Sequence, residues 1–168
     1  MNNSVDFYKE AETYIQLLET FVTKHALAGR AAVDHICYKC GSKESFEEIR
    51  RLFEHESDYI YQSIISNRRI AIIRLKQGIV TSLGTIFFLE LSDQKPDNSQ
   101  VDGFDHIEVY PLARTYDDMV AEFSKTEVVV KVERPHHTTH DIDMGDGFLF
   151  RCTEGPLIKK ITETEIGV

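Results

Sequence analysis

At 168 residues, 42% hydrophobic and 28% charged, the chain is long enough for one ordinary globular domain spanning 1–168 and too short for two. A formal net charge of −9 argues against generic phosphate-backbone binding, so no nucleic-acid partner is expected, and no apolar run nears the ~18 residues a membrane span requires. Cys37, Cys40 and Cys152 cannot all pair with one another, and the N-terminus lacks the basic and then apolar stretch of a secretion signal, so free thiols and a cytoplasmic setting are expected.

Residues 1–30 read as an N-terminal helical extension, because Ala11, Tyr14, Ile15, Leu18, Phe21 and Val22 recur at three- and four-residue spacing. A first unit follows over 32–91. Ala32 to Cys40 reads as a strand, and Ser45 with Glu48 three residues later forms a capping-box signature for a helix burying Phe46, Ile49, Leu52 and Phe53. Tyr59 to Ile65, Arg69 to Lys76 and Thr85 to Leu91 read as strands, with turns at Asn67, Gly78 and Gly84. The polar stretch from Ser92 to Gly103 is a surface connection.

The second unit, 104–153, repeats that order. It has a strand from Phe104 to Tyr110, a cap pair Thr115 and Asp118, a helix with Tyr116, Met119, Val120 and Phe123 on one face, and strands near Glu127–Glu133, His137–Asp143 and Phe148–Thr153. Residues 154–168 form a C-terminal tail. The tripeptide Asp-His-Ile opens both units, as Asp34-His35-Ile36 and Asp105-His106-Ile107, with His35 ten positions before Ser45 and His106 nine before Thr115. Two histidines placed alike in two halves suggest a duplicated fold with one shared site.

Paired βαβββ modules with a strand-borne histidine in each resemble the vicinal oxygen chelate superfamily. More narrowly, Asp34-His35-Ile36 with Lys39-Cys40, Asn67 with Arg69-Ile70, Glu90-Leu91 and His106-Ile107-Glu108 resemble the YecM family of bacterial proteins, over about Ala32 to Cys152. The resemblance implies an α+β fold in which two βαβββ modules form a half-open mixed β-barrel. It also implies a divalent metal ion (Fe, Mn, Ni or Zn) held by His35, Glu90 and His106. The fourth ligand of many superfamily members, a Glu, falls on Arg151 here.

Two imidazoles and a carboxylate form a facial set sufficient for such an ion, leaving positions open for a substrate. Arg151 opposes it: a unit positive charge ~5 Å from a dication costs roughly 6 to 7 kcal/mol of bare repulsion at an effective dielectric of ~20. The alternative is a Glu90–Arg151 ion pair that replaces the metal. Side chains two apart on a strand share a face, so His35 brings Cys37 and Lys39, His106 brings Glu108 and Tyr110, and Glu90 brings Phe88 and Ile86. Lys39 and Arg151 are candidate anchors for an anionic oxygen, Cys37, Phe88 and Tyr110 candidate substrate contacts, and Glu108 the candidate general base.

Cys37-x-x-Cys40 has a zinc-knuckle spacing, but an offset of three on a strand sends the thiols to opposite faces. The run His136-His137-Thr138-Thr139-His140-Asp141 reads as a polar strand near a rim, with His137 and Asp141 facing one way and His136 and His140 the other. Two functions follow. One is a metal-dependent lyase, isomerase or dioxygenase acting on a small anionic or oxygen-chelating substrate; the other is a metal-free small-molecule-binding protein. Eight strands in one chain favour a barrel closed within the chain, and monomer and homodimer both remain open.

Overall fold

Asn3 starts the first helix by accepting the Asp6 N–H at 2.9 Å, and α1 then runs over Ser4–Lys24. In this computed structural model, which describes residues 3–65, 67–133 and 138–158, α1 buries Phe7, Ala11, Ile15, Leu18, Phe21 and Val22. Its rings reach both halves of the chain. Phe7 meets Phe53 at 5.0 Å and Phe104 at 5.2 Å, Tyr14 meets Phe148 at 4.9 Å, and Phe21 meets Phe150 at 4.8 Å. The expected N-terminal helix is thus present, and it packs as a shared layer of the core.

The remaining elements are β1 (Ala31–Lys39), α2 (Lys43–Glu54), β2 (Ser57–Ile65), β3 (Arg68–Thr81), β4 (Gly84–Ser92), β5 (Gly103–Pro111), α3 (Tyr116–Phe123), β6 (Val130–Glu133), β7 (Thr138–Asp143) and β8 (Leu149–Cys152). They form one open eight-stranded mixed sheet in the order β2-β3-β4-β1-β5-β8-β7-β6. The order reads as two copies of one pattern about the β1–β5 seam: β1 is parallel to β4, β5 is parallel to β8, and β1 is antiparallel to β5. The expected α+β class with two βαβββ modules is observed.

Ile36, Tyr38, Leu89, Leu91, Ile107, Val109, Phe150 and Cys152 point to the helix-covered core. His35, Cys37, Glu90, His106, Glu108 and Arg151 lie on the other face of the same four central strands, so strand alternation separates core from site.

Three local expectations need correction. The cap of α2 is Ser42, not Ser45: Ser42 accepts the Ser45 N–H at 3.0 Å, and the Ser45 hydroxyl accepts the Ser42 N–H at 3.3 Å. Ser45 thus fills the reciprocal place assigned to Glu48, and the cap stands seven residues after His35 rather than ten. Gly78 is no turn; it lies inside the 14-residue β3. There the pairing with β4 jumps from Arg74↔Phe88 to Ile79↔Ile86, a bulge that breaks alternation and turns Ile86 into the main core, away from the Glu90 face. The second strand of the second half starts at Val130 because Glu127 still closes the end of α3, its N–H donating to the Phe123 carbonyl at 2.8 Å. His136 and His137 lie outside the described residues.

Candidate metal centre

The two histidines come from the paired central strands β1 and β5, Glu90 from β4 and Arg151 from β8. Donor atoms of His35, Glu90 and His106 all lie within 4.8 Å of one another, and the imidazole centroids are 6.0 Å apart. His35 is fully buried and His106 is 2% exposed.

Each imidazole is oriented by the aspartate before it. His35 Nδ1 donates to Asp34 Oδ2 at 2.9 Å, and His106 Nδ1 donates to Asp105 Oδ2 at 2.8 Å, since an ionised carboxylate only accepts. Adjacent residues on a regular strand face opposite ways, and the sheet register explains the exception. Pairing skips from Val33↔Val109 to His35↔Glu108, and from Cys37↔His106 to Tyr38↔Phe104. Asp34 and Asp105 are thus the extra residues of two bulges, one in each central strand, which swing each carboxylate toward its histidine. Both rings consequently turn Nε2 toward the shared centre.

The two rings differ electrically. Burial pulls His35 down, but Glu108, Asp34 and Glu90 outweigh it and raise its pKa to about 10. Its Nε2 is buried without a hydrogen-bond partner, 3.5 Å from Glu90 Oε2 and 3.7 Å from Glu108 Oε2. Burial and then the Arg151 guanidinium push His106 down to about 4, against Asp105 and Glu90, so this ring is neutral. Burial alone would raise Glu90, yet His35, His106 and Arg151 hold it well below the usual carboxylate range. Burial pushes the Glu108 carboxyl up despite the His35 charge, and its Oε1 has no hydrogen-bond partner.

Arg151 does not pair with Glu90. Its Nε and Nη2 donate to the two oxygens of Asp141 at 2.8 and 2.7 Å, and Nη1 donates to His106 Nε2 at 2.9 Å. The metal-replacing Glu90–Arg151 bridge is absent among the described residues because β7 sets Asp141 directly opposite Arg151 in the sheet. Asp141 also offsets the repulsion that Arg151 would exert on a bound cation.

The donor set fits a divalent ion. Two buried imidazoles present Nε2, a carboxylate sits between them, and an orphaned nitrogen points inward. Arg151 supplies no ligand atom, and it competes for His106 Nε2.

Lys39 lines the cavity and ion-pairs with Asp105. Cys37 also lines it, its thiol donating to Glu90 Oε1 at 3.4 Å; burial and then Glu90 hold that thiol in its protonated form. Cys40 faces the core, and all three thiols are free. Phe88 lies on the Glu90 face and packs with Ile70, Ile72 and Ile158, and Tyr110 stands two residues beyond Glu108 on β5; neither is among the residues that line the cavity. His140 is taken by the Tyr116 hydroxyl at 2.7 Å, away from the centre.

Sequence reasoning gave no role to Asp34, Asp105 or Asp141. The doubled Asp-His dipeptide was the signal for the first two. Asp141 was signalled only by its place on the inward side of the polar strand. Asp34 has a further duty, since its Oδ2 also accepts the N–H groups of Leu157 and Ile158 at 3.1 and 3.2 Å. That pins the C-terminal segment against the cavity, which Leu157 lines.

No curated protein matches the chain. A solved structural-genomics structure, protein EC4020, is 19% identical over 95% of this chain and 91% of that one, with a TM-score of 0.70, a likeness of fold. A methylmalonyl-CoA epimerase variant from Streptomyces coelicolor, bound to 2-nitronate-propionyl-CoA, is 16% identical over 73% of this chain and 96% of that one, with a TM-score of 0.47. No helix of the described residues is long and apolar enough to cross a membrane. The family model for YecM protein matches residues 3–144, so the shared pattern takes in α1 as well as most of both modules. The chain belongs to the YecM protein family.

Proposed function

We propose that the protein binds one divalent metal ion through His35, Glu90 and His106 and acts as an enzyme on a small substrate that chelates through vicinal oxygens. The observation that carries this reading is the buried Nε2 of His35, which makes no hydrogen bond and faces Glu90 Oε2 at 3.5 Å beside a second imidazole, the donor atoms of all three lying within 4.8 Å of one another. A bound ion would take the place of the proton that Nε2 holds between Glu90 and Glu108. When bound, the ion supplies a Lewis acid for the substrate oxygens.

The chain's own residues divide the remaining work. Glu108, buried with a raised carboxyl and a free Oε1, is poised to take or return a proton at that oxygen. Arg151, fixed by Asp141, and Lys39, fixed by Asp105, present positive charge to an anionic oxygen. The Cys37 thiol narrows the wall beside Glu90. This set is compatible with lyase, isomerase or dioxygenase chemistry.

The test is elemental analysis of the purified protein beside His35→Ala and His106→Ala. Near-stoichiometric metal in the parent and its loss in both variants is the expected result; metal content unchanged in the variants overturns the assignment. A second reading, a metal-free pocket for an anionic ligand, is favoured by the hydrogen bond from Arg151 to His106 Nε2. A parent protein that takes up no metal from excess Zn, Mn, Ni or Fe(II) would select it.

A further inference from the structure

The cavity at the centre has a volume of about 580 Å³ and continues well past the ligands. Its floor follows from register. Glu90 pairs with Ile72, Ile72 with Tyr61, Ile70 with Ser63, and Arg68 with Ile65, so these side chains share the inward face. Arg68 is four residues along β3 from Ile72, or ~13 Å from the level of Glu90 at ~3.3 Å per residue. An apolar stretch therefore separates the metal ligands from a basic far end.

Four cations line this cavity, and they are not equivalent. Lys39 is committed to Asp105 and Arg151 to Asp141. Arg68 and Lys95 have no carboxylate within 4.0 Å among the described residues. The only hydrogen bond from the Arg68 side chain among them goes to Gln100 Oε1, and its Nε is buried without a partner. Gln100 cannot yield, because its Nε2 donates to the Cys40 and Asp93 carbonyls at 3.2 and 2.8 Å. Lys95 is held by a turn in which the Asn98 N–H donates to the Lys95 carbonyl at 3.0 Å. Asp97 also lines the cavity, but its carboxylate accepts the Ser99 N–H at 3.1 Å. The same two cations also line an adjoining cavity of about 780 Å³, so they stand where two open spaces meet.

Arg68, tied only to a neutral amide, and Lys95, which feels Asp97 across space but forms no ion pair within 4.0 Å among the described residues, leave a local positive charge in a chain of net charge −9 that an anion would satisfy. We propose that Arg68 and Lys95 form a distal oxyanion site and that the substrate is elongated, with chelating oxygens at one end, an apolar middle against Ile65, Ile70 and Ile72, and a phosphate or carboxylate at the other. The substrate half of this inference rests on the metal-binding reading; the anion site itself does not.

Two measurements separate them. Inorganic phosphate is titrated into the full-length, metal-free protein by calorimetry, beside the Arg68→Met/Lys95→Met double variant and a Lys125→Met control, with circular dichroism to verify folding. Saturable binding that weakens at least tenfold in the double variant and not in the control is expected. Absence of saturable binding, or equal binding by all three, overturns the anion site. In the second arm, Zn-loaded protein is titrated with alkane hydroxamates of increasing length, ending in carboxylate or in methyl. A carboxylate advantage of at least tenfold, confined to the longer chains and lost in the double variant, supports the elongated substrate. Hydroxamate binding without that advantage overturns it. Phosphate binding by a protein that takes up no Zn retains the anion site and removes the metal reading, and the elongated substrate with it; Zn uptake with no hydroxamate binding overturns the elongated substrate alone.

Discussion

An aspartate precedes each site histidine, and the pair is the working unit. The carboxylate fixes the tautomer and turns Nε2 inward, so replacing Asp34 or Asp105 by Asn should weaken metal binding about 10- to 100-fold while leaving the ligands in place. Competition against a chromophoric chelator measures this; unchanged affinity would show that the bulges serve the sheet alone. The electrostatics add a pH signature. The pKa of His35 is raised from 6.5 to about 10, so its ion pairs stabilise the metal-free protein fully below about pH 6.5, and that contribution is lost as pH rises through about 10. Metal at Nε2 must displace this proton, so binding near pH 7 should release about one proton and strengthen with rising pH. Calorimetry in buffers of different ionisation enthalpy reports that count, and zero release would remove His35 from the ligand set. At this scale the histidines were legible because a repeated tripeptide marks them. The rest of Asp34's work was not, since the Leu157 and Ile158 N–H groups, 123 and 124 residues away, reach this oxygen only after folding.

Element boundaries followed the hydrophobic period wherever that period was unbroken. The helix faces of α1, α2 and α3 were read from three- and four-residue spacing, and Leu52, Tyr14 and Val120 lie at the margin of the buried stripes. Errors arose where a short polar side chain or a bulge overrode the pattern. Ser42 in place of Ser45 at the α2 cap is one such case, and it yields a stability test. Ser42→Ala should cost about 0.5 to 2 kcal/mol, whereas Glu48→Ala, exposed and outside the cap, should stay within about 0.5 kcal/mol. Denaturant unfolding separates the two, and the reverse order would restore the Ser45–Glu48 cap. Gly78 is the other case. A Cβ there would meet Thr85 Cγ2 at 2.4 Å and Phe87 Cε1 at 2.8 Å, so the glycine permits a close crossing of β3 and β4 rather than a turn. Composition alone does not distinguish those two uses of glycine.

For the molecule as a whole, the two modules share one sheet, one core and one helix. Because α1 packs rings against both halves, Leu18→Ala at its fully buried face should cost about 2 to 5 kcal/mol, as in any central core position. A loss under ~1 kcal/mol by denaturant unfolding would make the helix a dispensable cover. The doubled plan was legible because order and chemistry repeat, but the departure from symmetry matters more. Glu90 and Arg151 occupy corresponding strands, β4 and β8, so one half supplies a proposed ligand and the other a cation held off by Asp141. X-ray absorption at the metal edge of Zn-loaded protein tests the central claim most directly. Two imidazole nitrogens and carboxylate oxygen at ~2.0 to 2.2 Å, losing one imidazole in His35→Ala and one in His106→Ala, is the predicted result. A shell of oxygen alone, or one containing Cys37 sulfur, would contradict it.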